Sequence, residues 1–236
     1  MPECHSTNSF ALQLCQQSQS APEGTVVITD HQIAGRGQRG NVWSSEPGKN
    51  FTLSIILKPT FLATTDQFYL NIFSSLSIYD YLRHKSCPAL KIKWPNDIYA
   101  DGKKICGILI ENQISGDRFT NVVLGIGLNI NQRDFQLDSA TSLSVMIDGT
   151  VELADELEYL LSCIERRYLQ LRQNNYAALM ENYLSLMHWI GERRHFNSNG
   201  DIFEGIILGV DQSGRLKMKI GEKEALFAAK EIAFVA

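Results

Sequence analysis

The sequence lacks any long uninterrupted apolar segment. No run approaches the roughly 20 residues that a membrane-spanning helix needs, so we expect no membrane association. Residues 1–10 contain no basic cluster followed by an apolar stretch, and we therefore expect no secretory signal peptide. The 5 cysteines form no C-x-x-C pair and no evident disulfide framework, which favours a reducing compartment and predicts a cytoplasmic protein.

Proline and net charge are also low, and glycine is no more frequent than in an average protein. The 17 glycines and 6 prolines are too few for a collagen-like or low-complexity chain. The net charge of −4 argues against a protein that wraps nucleic acid. Cations are nevertheless concentrated between residues 83 and 104, where six Lys and Arg face two Asp. A local cationic focus on an acidic body suits a small anionic ligand better than a long polyanion.

Hydrophobic periodicity predicts an α+β fold. Apolar residues at helical spacing predict a short helix after the N-cap residues 6–8, a longer one over 67–83 and two more between 151 and 189. Apolar or alternating runs predict strands at 25–29, 51–57, 90–94, 105–111 and 121–130. We therefore expect a mixed β-sheet with helices packed on one side of it.

The end of the chain has a different pattern. From residue 193 onwards short strands alternate with turns, which predicts a small C-terminal β-barrel. We accordingly divide the chain into a main domain, residues 1–189, and a small domain, residues 190–236. Residues 192–236 carry seven cations and seven anions, so a nucleic-acid groove is disfavoured there.

Residues 35–43 form a polar, glycine-rich motif with the sequence GRGQRGNVW. Its three glycines let the backbone approach a phosphate closely, with N–H groups turned inward as an anion nest. Arg36 and Arg39 add permanently charged, forked donors, and Trp43 offers a flat face on which adenine could stack. Taken by itself, the motif is also compatible with a surface loop whose arginines are solvated.

A second cluster lies in a predicted hairpin. Residues 93–97 read KWPND, and the Asp101–Gly102 turn brings Lys104 back towards them. Two lysines, an amide and a carboxylate then converge, as a magnesium–phosphate site requires. The alternative is a strand with lysines in water. Asn129, at the end of a glycine-containing strand, is either a nucleotide contact or a buried, satisfied amide.

These segments, in this order, resemble biotin–protein ligases of the short form that lacks an N-terminal DNA-binding domain. The similarity extends from residue 5 into the C-terminal barrel. It implies a class II synthetase-like catalytic domain and an SH3-like barrel. It also implies ATP-dependent attachment of biotin to a lysine of a biotin carboxyl carrier domain of acetyl-CoA carboxylase, through a biotinyl-5′-adenylate. Because only five residues precede Ser6, we expect no DNA-binding segment and no DNA partner.

The residues and the resemblance together give a candidate site. The predicted biotin contacts are Ser6, Thr7, Asn8, Gln32, Gly35, Arg36, Gly37, Gln38, Lys104 and Gly107. The predicted ATP contacts are Arg36, Arg39, Trp43, Lys93, Asn96, Asp97 and Asn129. Lys104, Arg36 and Arg39 are the predicted catalytic cations, which would offset the repulsion between carboxylate and triphosphate. We expect Mg²⁺ to arrive with ATP, and we assign it no protein ligand. Some family members have an arginine at the position of Gln38, and that arginine helps to retain the adenylate. This chain departs from them at Gln38.

Two other functions stay open on the sequence. A lipoate–protein ligase has the same scaffold and the same adenylate chemistry. The polar residues 6–8 and Gln32 favour biotin, because its ring needs paired donors and acceptors whereas a lipoyl chain needs an apolar tunnel. A non-catalytic biotin or nucleotide sensor is disfavoured because both the 35–43 motif and Lys104 are present. A homodimer is compatible with the sequence.

Overall fold

The main part of the chain is built on a six-stranded sheet. The computed structural model describes residues 1–17 and 21–235, and at position 39 the backbone alone. The strands up to residue 128 are β1 Glu3–Cys4, β2 Val26–Thr29, β3 His31–Gln32, β4 Phe51–Leu57, β5 Leu90–Lys93, β6 Asp97–Ala100, β7 Lys103–Ser115 and β8 Arg118–Leu128. The sheet has the strand order β2–β4–β8–β7–β6–β5, and β1 and β3 form a separate ribbon.

The α+β fold class is confirmed, but the strand directions differ from the mixed sheet that we expected. Every pair of neighbours in the six-stranded sheet is antiparallel. Parallel pairing occurs between β1 and β3 alone among the described strands. The reason is local: β5 to β8 follow one another through short turns, and a short turn can join only antiparallel strands.

The described helices are α1 Thr7–Gln16, α2 Phe68–His84, α3 Leu143–Met146, α4 Leu153–Arg172 and α5 Tyr176–Ser185. They cover both faces of the sheet, so our expectation of helices on one side was wrong. Leu53 and Ile55 of β4 pack into the core that contains α2 and α4, whereas Ile56 packs with Ala11 of α1 on the opposite face. Every residue of β4 is buried, as in strands with both faces covered. None of the described helices has both the length and the apolar character needed to cross a membrane.

The C-terminal part forms a second, antiparallel sheet. Its strands are β9 Arg193–Ser198, β10 Asp201–Val210, β11 Leu216–Ile220, β12 Lys223–Phe227 and β13 Ala233–Val235, in the order β12–β11–β10–β9–β13. Trp94, directly after β5, donates an indole hydrogen bond of 2.9 Å to the carbonyl of Gly214 between β10 and β11. This sheet lies where the small barrel was expected. The boundary at residue 189 and the closure of a barrel stay predictions.

A buried ion pair joins α2 to α4. Asp80 has a side chain only 7% exposed, and Arg167 donates to both of its carboxylate oxygens at 2.8 and 3.2 Å. Two further guanidinium groups, those of Arg83 and Arg166, lie 3.7 Å from the same carboxylate. Asp80 is therefore the shared counter-charge of three arginines, of which Arg167 is the most deeply buried.

Replacing Asp80 by alanine should lower the free energy of unfolding by about 3 kcal/mol, because it leaves the largely buried Arg167 without its counter-charge. Urea denaturation of wild type and variant measures the difference. Glu165→Ala is the control, since Glu165 is an exposed carboxylate on α4 in ordinary helical conformation. The control should change the free energy of unfolding by less than about 0.5 kcal/mol. Equal losses in the two variants would contradict the prediction.

Candidate active site

The candidate site is a cavity of about 150 Å³ on the face of the sheet that carries α1. It lies between the N-terminus of α1, the 35–43 motif and the middle of β7 and β8. Of the residues predicted from the sequence, those that line it are Ser6, Thr7, Asn8, Gln32, Arg36, Gly37, Gln38, Trp43, Asp97, Lys104 and Gly107. Segments distant in the chain therefore meet around one cavity.

One wall is a network of polar side chains at the start of α1. The N–H and the hydroxyl of Thr7 both donate to the side-chain oxygen of Gln32, at 2.7 and 3.1 Å. The buried hydroxyl of Ser54 lies 2.7 Å from the Thr7 hydroxyl and 2.6 Å from Oδ1 of Asn8. These bonds fix the orientation of Thr7 and Asn8 and give the wall a set of aligned donors and acceptors. Ser54 was not among the predicted residues.

Residues 35–43, which we call the flap, form a small closed loop over the cavity. The Gly37 N–H donates to the carbonyl of Asn41 at 2.7 Å, and the Trp43 N–H donates to the carbonyl of Gly35 at 2.9 Å. The Trp43 ring lies against two glycines of the sheet. A Cβ at Gly127 would overlap the indole, and one at Gly107 would lie 2.9 Å from it. Bare backbone at these two positions is therefore what lets the flap close down on the sheet.

Two cations flank the cavity, and each is paired with a carboxylate. Lys104 Nζ lies 2.7 Å from Oδ2 of Asp97 and 6.0 Å from the Trp43 ring. Arg36 Nη2 lies 2.8 Å from Oε2 of Glu111. Both cations remain a quarter or more exposed, so an anionic ligand can reach them. The cavity thus joins a polar wall to a pair of positive charges.

The sequence profile of the biotin/lipoate A/B protein ligase family matches residues 2–129. The chain belongs to this family. It is 34% identical to the bifunctional ligase/repressor BirA of Bacillus subtilis over 92% of this chain and 67% of that protein. It is 30% identical to a biotin–[acetyl-CoA-carboxylase] ligase of Paracoccus denitrificans over 97% of both chains.

Solved structures of the family share the fold. The biotin protein ligase of Aquifex aeolicus, in complex with biotin and ATP, matches 99% of this chain and 96% of its own, with a TM-score of 0.81 and 24% identity. A biotin protein ligase of Leishmania major in complex with biotin gives a TM-score of 0.64 at 19% identity. These likenesses confirm the α+β fold of biotin protein ligases that we expected from the resemblance. The C-terminal barrel stays a prediction.

Some residues predicted as ATP contacts lie away from the cavity. Asn96 is buried and donates to Oδ1 of Asn71 and to the carbonyl of Ile108, at 2.9 and 3.1 Å. Asn129 is buried and donates to the carbonyl of Thr141 at 2.9 Å. Both amides serve the local structure here, and their contact with a nucleotide stays a prediction. Gly35, a predicted biotin contact, lies at the start of the flap, close to the Trp43 carbonyl and Gln32, and is not among the residues that line the cavity.

Two further residues that we predicted as ATP contacts are Lys93 and Arg39, and Lys93 is not among those that line the cavity. Lys93 lies on the side of the hairpin that faces the C-terminal sheet, with Nζ 3.2 Å from the Tyr99 hydroxyl and 5.0 Å from the Phe234 ring. Burial lowers the pKa of Lys93, Asp97 opposes that shift and Lys104 adds to it. Burial, with a smaller effect of Asp97, raises the pKa of Tyr99 to about 12. The side chain of Arg39 lies outside the described residues, so its roles stay predictions.

The sequence analysis missed Glu111. Its carboxylate accepts from Asn8 as well as from Arg36, each at 2.8 Å. The available signal was a single acidic residue following the run Ile-Leu-Ile in a predicted strand. A carboxylate in an apolar strand needs a hydrogen-bonding or cationic partner, but the sequence does not identify that partner.

Gly127→Ala should displace the Trp43 ring, because the added methyl group overlaps the indole. We expect stronger quenching of tryptophan fluorescence by acrylamide and a loss of roughly 1–3 kcal/mol in the free energy of unfolding. Gly149→Ala is the control, since its Cβ would approach no heavy atom closer than 3.8 Å. Quenching that matches wild type in both variants would show that the ring does not depend on Gly127.

Proposed function

We propose that this chain is an ATP-dependent biotin–protein ligase, which joins biotin to a lysine of a biotin carboxyl carrier domain of acetyl-CoA carboxylase. The observation that carries the proposal is the cavity itself, in which the Thr7–Gln32 wall and the cations Arg36 and Lys104 line one space. The Paracoccus relative, named for this activity, and the Aquifex structure with biotin and ATP support it.

In the first step the carboxylate of biotin attacks the α-phosphorus of ATP, and pyrophosphate leaves. A carboxyl group with an ordinary pKa of about 4.3 is ionised at neutral pH, so the attack needs no general base. It needs the repulsion between two anions to be offset. Lys104 and Arg36 provide positive charge at the cavity, and their fixed positions bring the reacting groups together without further reorganisation.

The polar wall serves the opposite end of biotin. The ureido ring offers two N–H donors and a carbonyl acceptor, and it requires complementary groups held at fixed positions. Ser6, Thr7, Asn8 and Gln32 line the cavity together, and bonds to Gln32 and Ser54 orient Thr7 and Asn8. A buried array of this kind rejects a ligand that cannot satisfy it, because its own polar groups would then be unpaired.

The flap protects the product of the first step. A biotinyl-adenylate is a mixed anhydride, which water would hydrolyse. Closure of residues 35–43, with Trp43 against Gly107 and Gly127, covers the cavity and excludes water until the acceptor arrives. In the second step the neutral amine of the acceptor lysine attacks the acyl carbon, AMP leaves with the electrons of the acyl–oxygen bond, and the nitrogen releases one proton to solvent.

Magnesium enters as part of the nucleotide substrate. The described residues contain no group of three His, Cys, Asp or Glu side chains that could hold a metal ion. Asp97 is the carboxylate that lines the cavity, and it is paired with Lys104. We propose that Mg²⁺ comes with ATP, and we assign it no protein ligand. The five free cysteines agree with the reducing, cytoplasmic compartment in which we place the reaction.

Lys104→Ala should slow formation of the adenylate by about three orders of magnitude, because it removes one of the two charges offered to the reacting anions. Pyrophosphate release with biotin and ATP measures this step. Lys103→Ala removes the neighbouring, exposed lysine of the same strand and should act like wild type. Wild-type release from Lys104→Ala would exclude Lys104 from the mechanism.

The preference for biotin over lipoate is tested by titration calorimetry with each acid. We expect binding of biotin with affinity at least about tenfold above that of lipoate, since only the ureido ring pairs with the polar wall. Gln32→Ala should reduce this preference. Tighter binding of lipoate by the wild-type protein would instead support a lipoate–protein ligase.

A further inference from the structure

Glu111 lies in β7 beyond the cavity wall, where the flap meets α1. We infer that Glu111 is the positioning residue that anchors the flap over the cavity, by holding Arg36 against Asn8. The inference deepens the proposed function and rests on it for the identity of the ligand. It assigns a role to a carboxylate that is not itself among the residues lining the cavity.

One oxygen atom makes both contacts. Oε2 of Glu111 accepts from Nη2 of Arg36 at 2.8 Å and from Nδ2 of Asn8 at 2.8 Å. These donors come from positions 75 and 103 residues earlier in the chain. The carboxylate therefore joins the flap, the first turn of α1 and the sheet at a single point. Hydrogen bonds that involve a charged group are roughly twice as strong as those between neutral groups, and both bonds to this carboxylate are of that stronger kind.

The two partners depend on Glu111 to different degrees. Asn8 has two other hydrogen bonds. Its Nδ2 donates to the carbonyl of Leu109 at 3.3 Å, and its Oδ1 accepts from the Ser54 hydroxyl at 2.6 Å. In the part of the chain that the structure describes, Glu111 is the one side chain to which Arg36 donates. Loss of Glu111 would therefore release Arg36 while Asn8 stays in place.

The position of Glu111 leaves Arg36 able to bind a ligand. Arg36 lines the cavity and Glu111 does not, so the carboxylate holds the guanidinium from outside. A guanidinium has five N–H donors, of which this bond uses one. Among the described residues, the other contacts of the flap to the rest of the protein are of a different kind. They include the neutral hydrogen bond of 3.2 Å from Gln38 to Asn96, the packing of Trp43 on the sheet and the Lys104 ammonium 6.0 Å from the Trp43 ring, and none of them holds the Arg36 side chain.

The test compares Glu111→Gln and Glu111→Ala with wild type. Hydrogen–deuterium exchange of the ligand-free protein should be faster in residues 35–43 by roughly tenfold in the alanine variant and less in the glutamine variant. Exchange elsewhere should not change. Calorimetry should show biotin binding weakened by roughly tenfold in Glu111→Ala. In an Arg36→Ala background the same substitution should weaken binding no further, because the anchored group is absent.

Glu204→Gln is the matched control. It removes an equivalent carboxylate, 2.6 Å from Arg193 on the C-terminal sheet, and should alter neither flap exchange nor biotin binding. Unchanged flap exchange in both Glu111 variants overturns the inference. Faster exchange throughout the protein, with a lowered melting temperature, also overturns it, since Glu111 would then serve general stability. If the wild-type protein binds no biotin, the proposed function fails, and the exchange measurement still decides whether Glu111 anchors the flap.

Discussion

The site depends on two glycines placed side by side in adjacent strands. The register of β7 and β8 pairs Gly107 directly with Gly127, which leaves an area of bare backbone in the middle of the sheet. The indole of Trp43 fills that area, and no larger residue at either position would admit it. The flap can therefore lie against the sheet instead of standing away from it. The position of the flap over the cavity follows from this close approach.

The second organising feature is that each cation at the cavity has its own carboxylate. Lys104 is paired with Asp97, and Arg36 is paired with Glu111. These pairs are partly exposed, so each contributes little to the free energy of unfolding of the whole protein, whatever its effect on the local position of a side chain. The pairs instead hold the two cationic side chains in fixed positions, so that a ligand meets positive charges that are already in place. A long cationic side chain without such a partner would have to be immobilised at the moment of binding, at an entropic cost.

The sequence predicted the elements better than their arrangement. Periodicity placed the long helix at 67–83, where the structure has Phe68–His84, and the second strand at 51–57, as found. Local patterns carry that information because burial repeats along a single element. They do not show which face of the sheet α1 covers. The partnership of Arg36 with Glu111 was equally hidden, since it joins residues 75 positions apart and the motif around Arg36 does not indicate its partner. The motifs found most of the cavity lining, because glycines, arginines and the hairpin lysine are unusual in such spacing.

The bond from Trp94 to Gly214 has a consequence for exchanging parts between members of the family. Gly214 has φ +85° and packs so closely on Phe68 that a Cβ would overlap that ring. Trp94 in turn stands three positions before Asp97, the partner of Lys104. The C-terminal sheet is thus joined to Trp94 by a hydrogen bond and to Phe68 of α2 by close packing. A chimaera that takes this sheet from a relative would need a glycine at the position of Gly214 whose carbonyl accepts from Trp94, or the graft would shift the hairpin that carries Lys104.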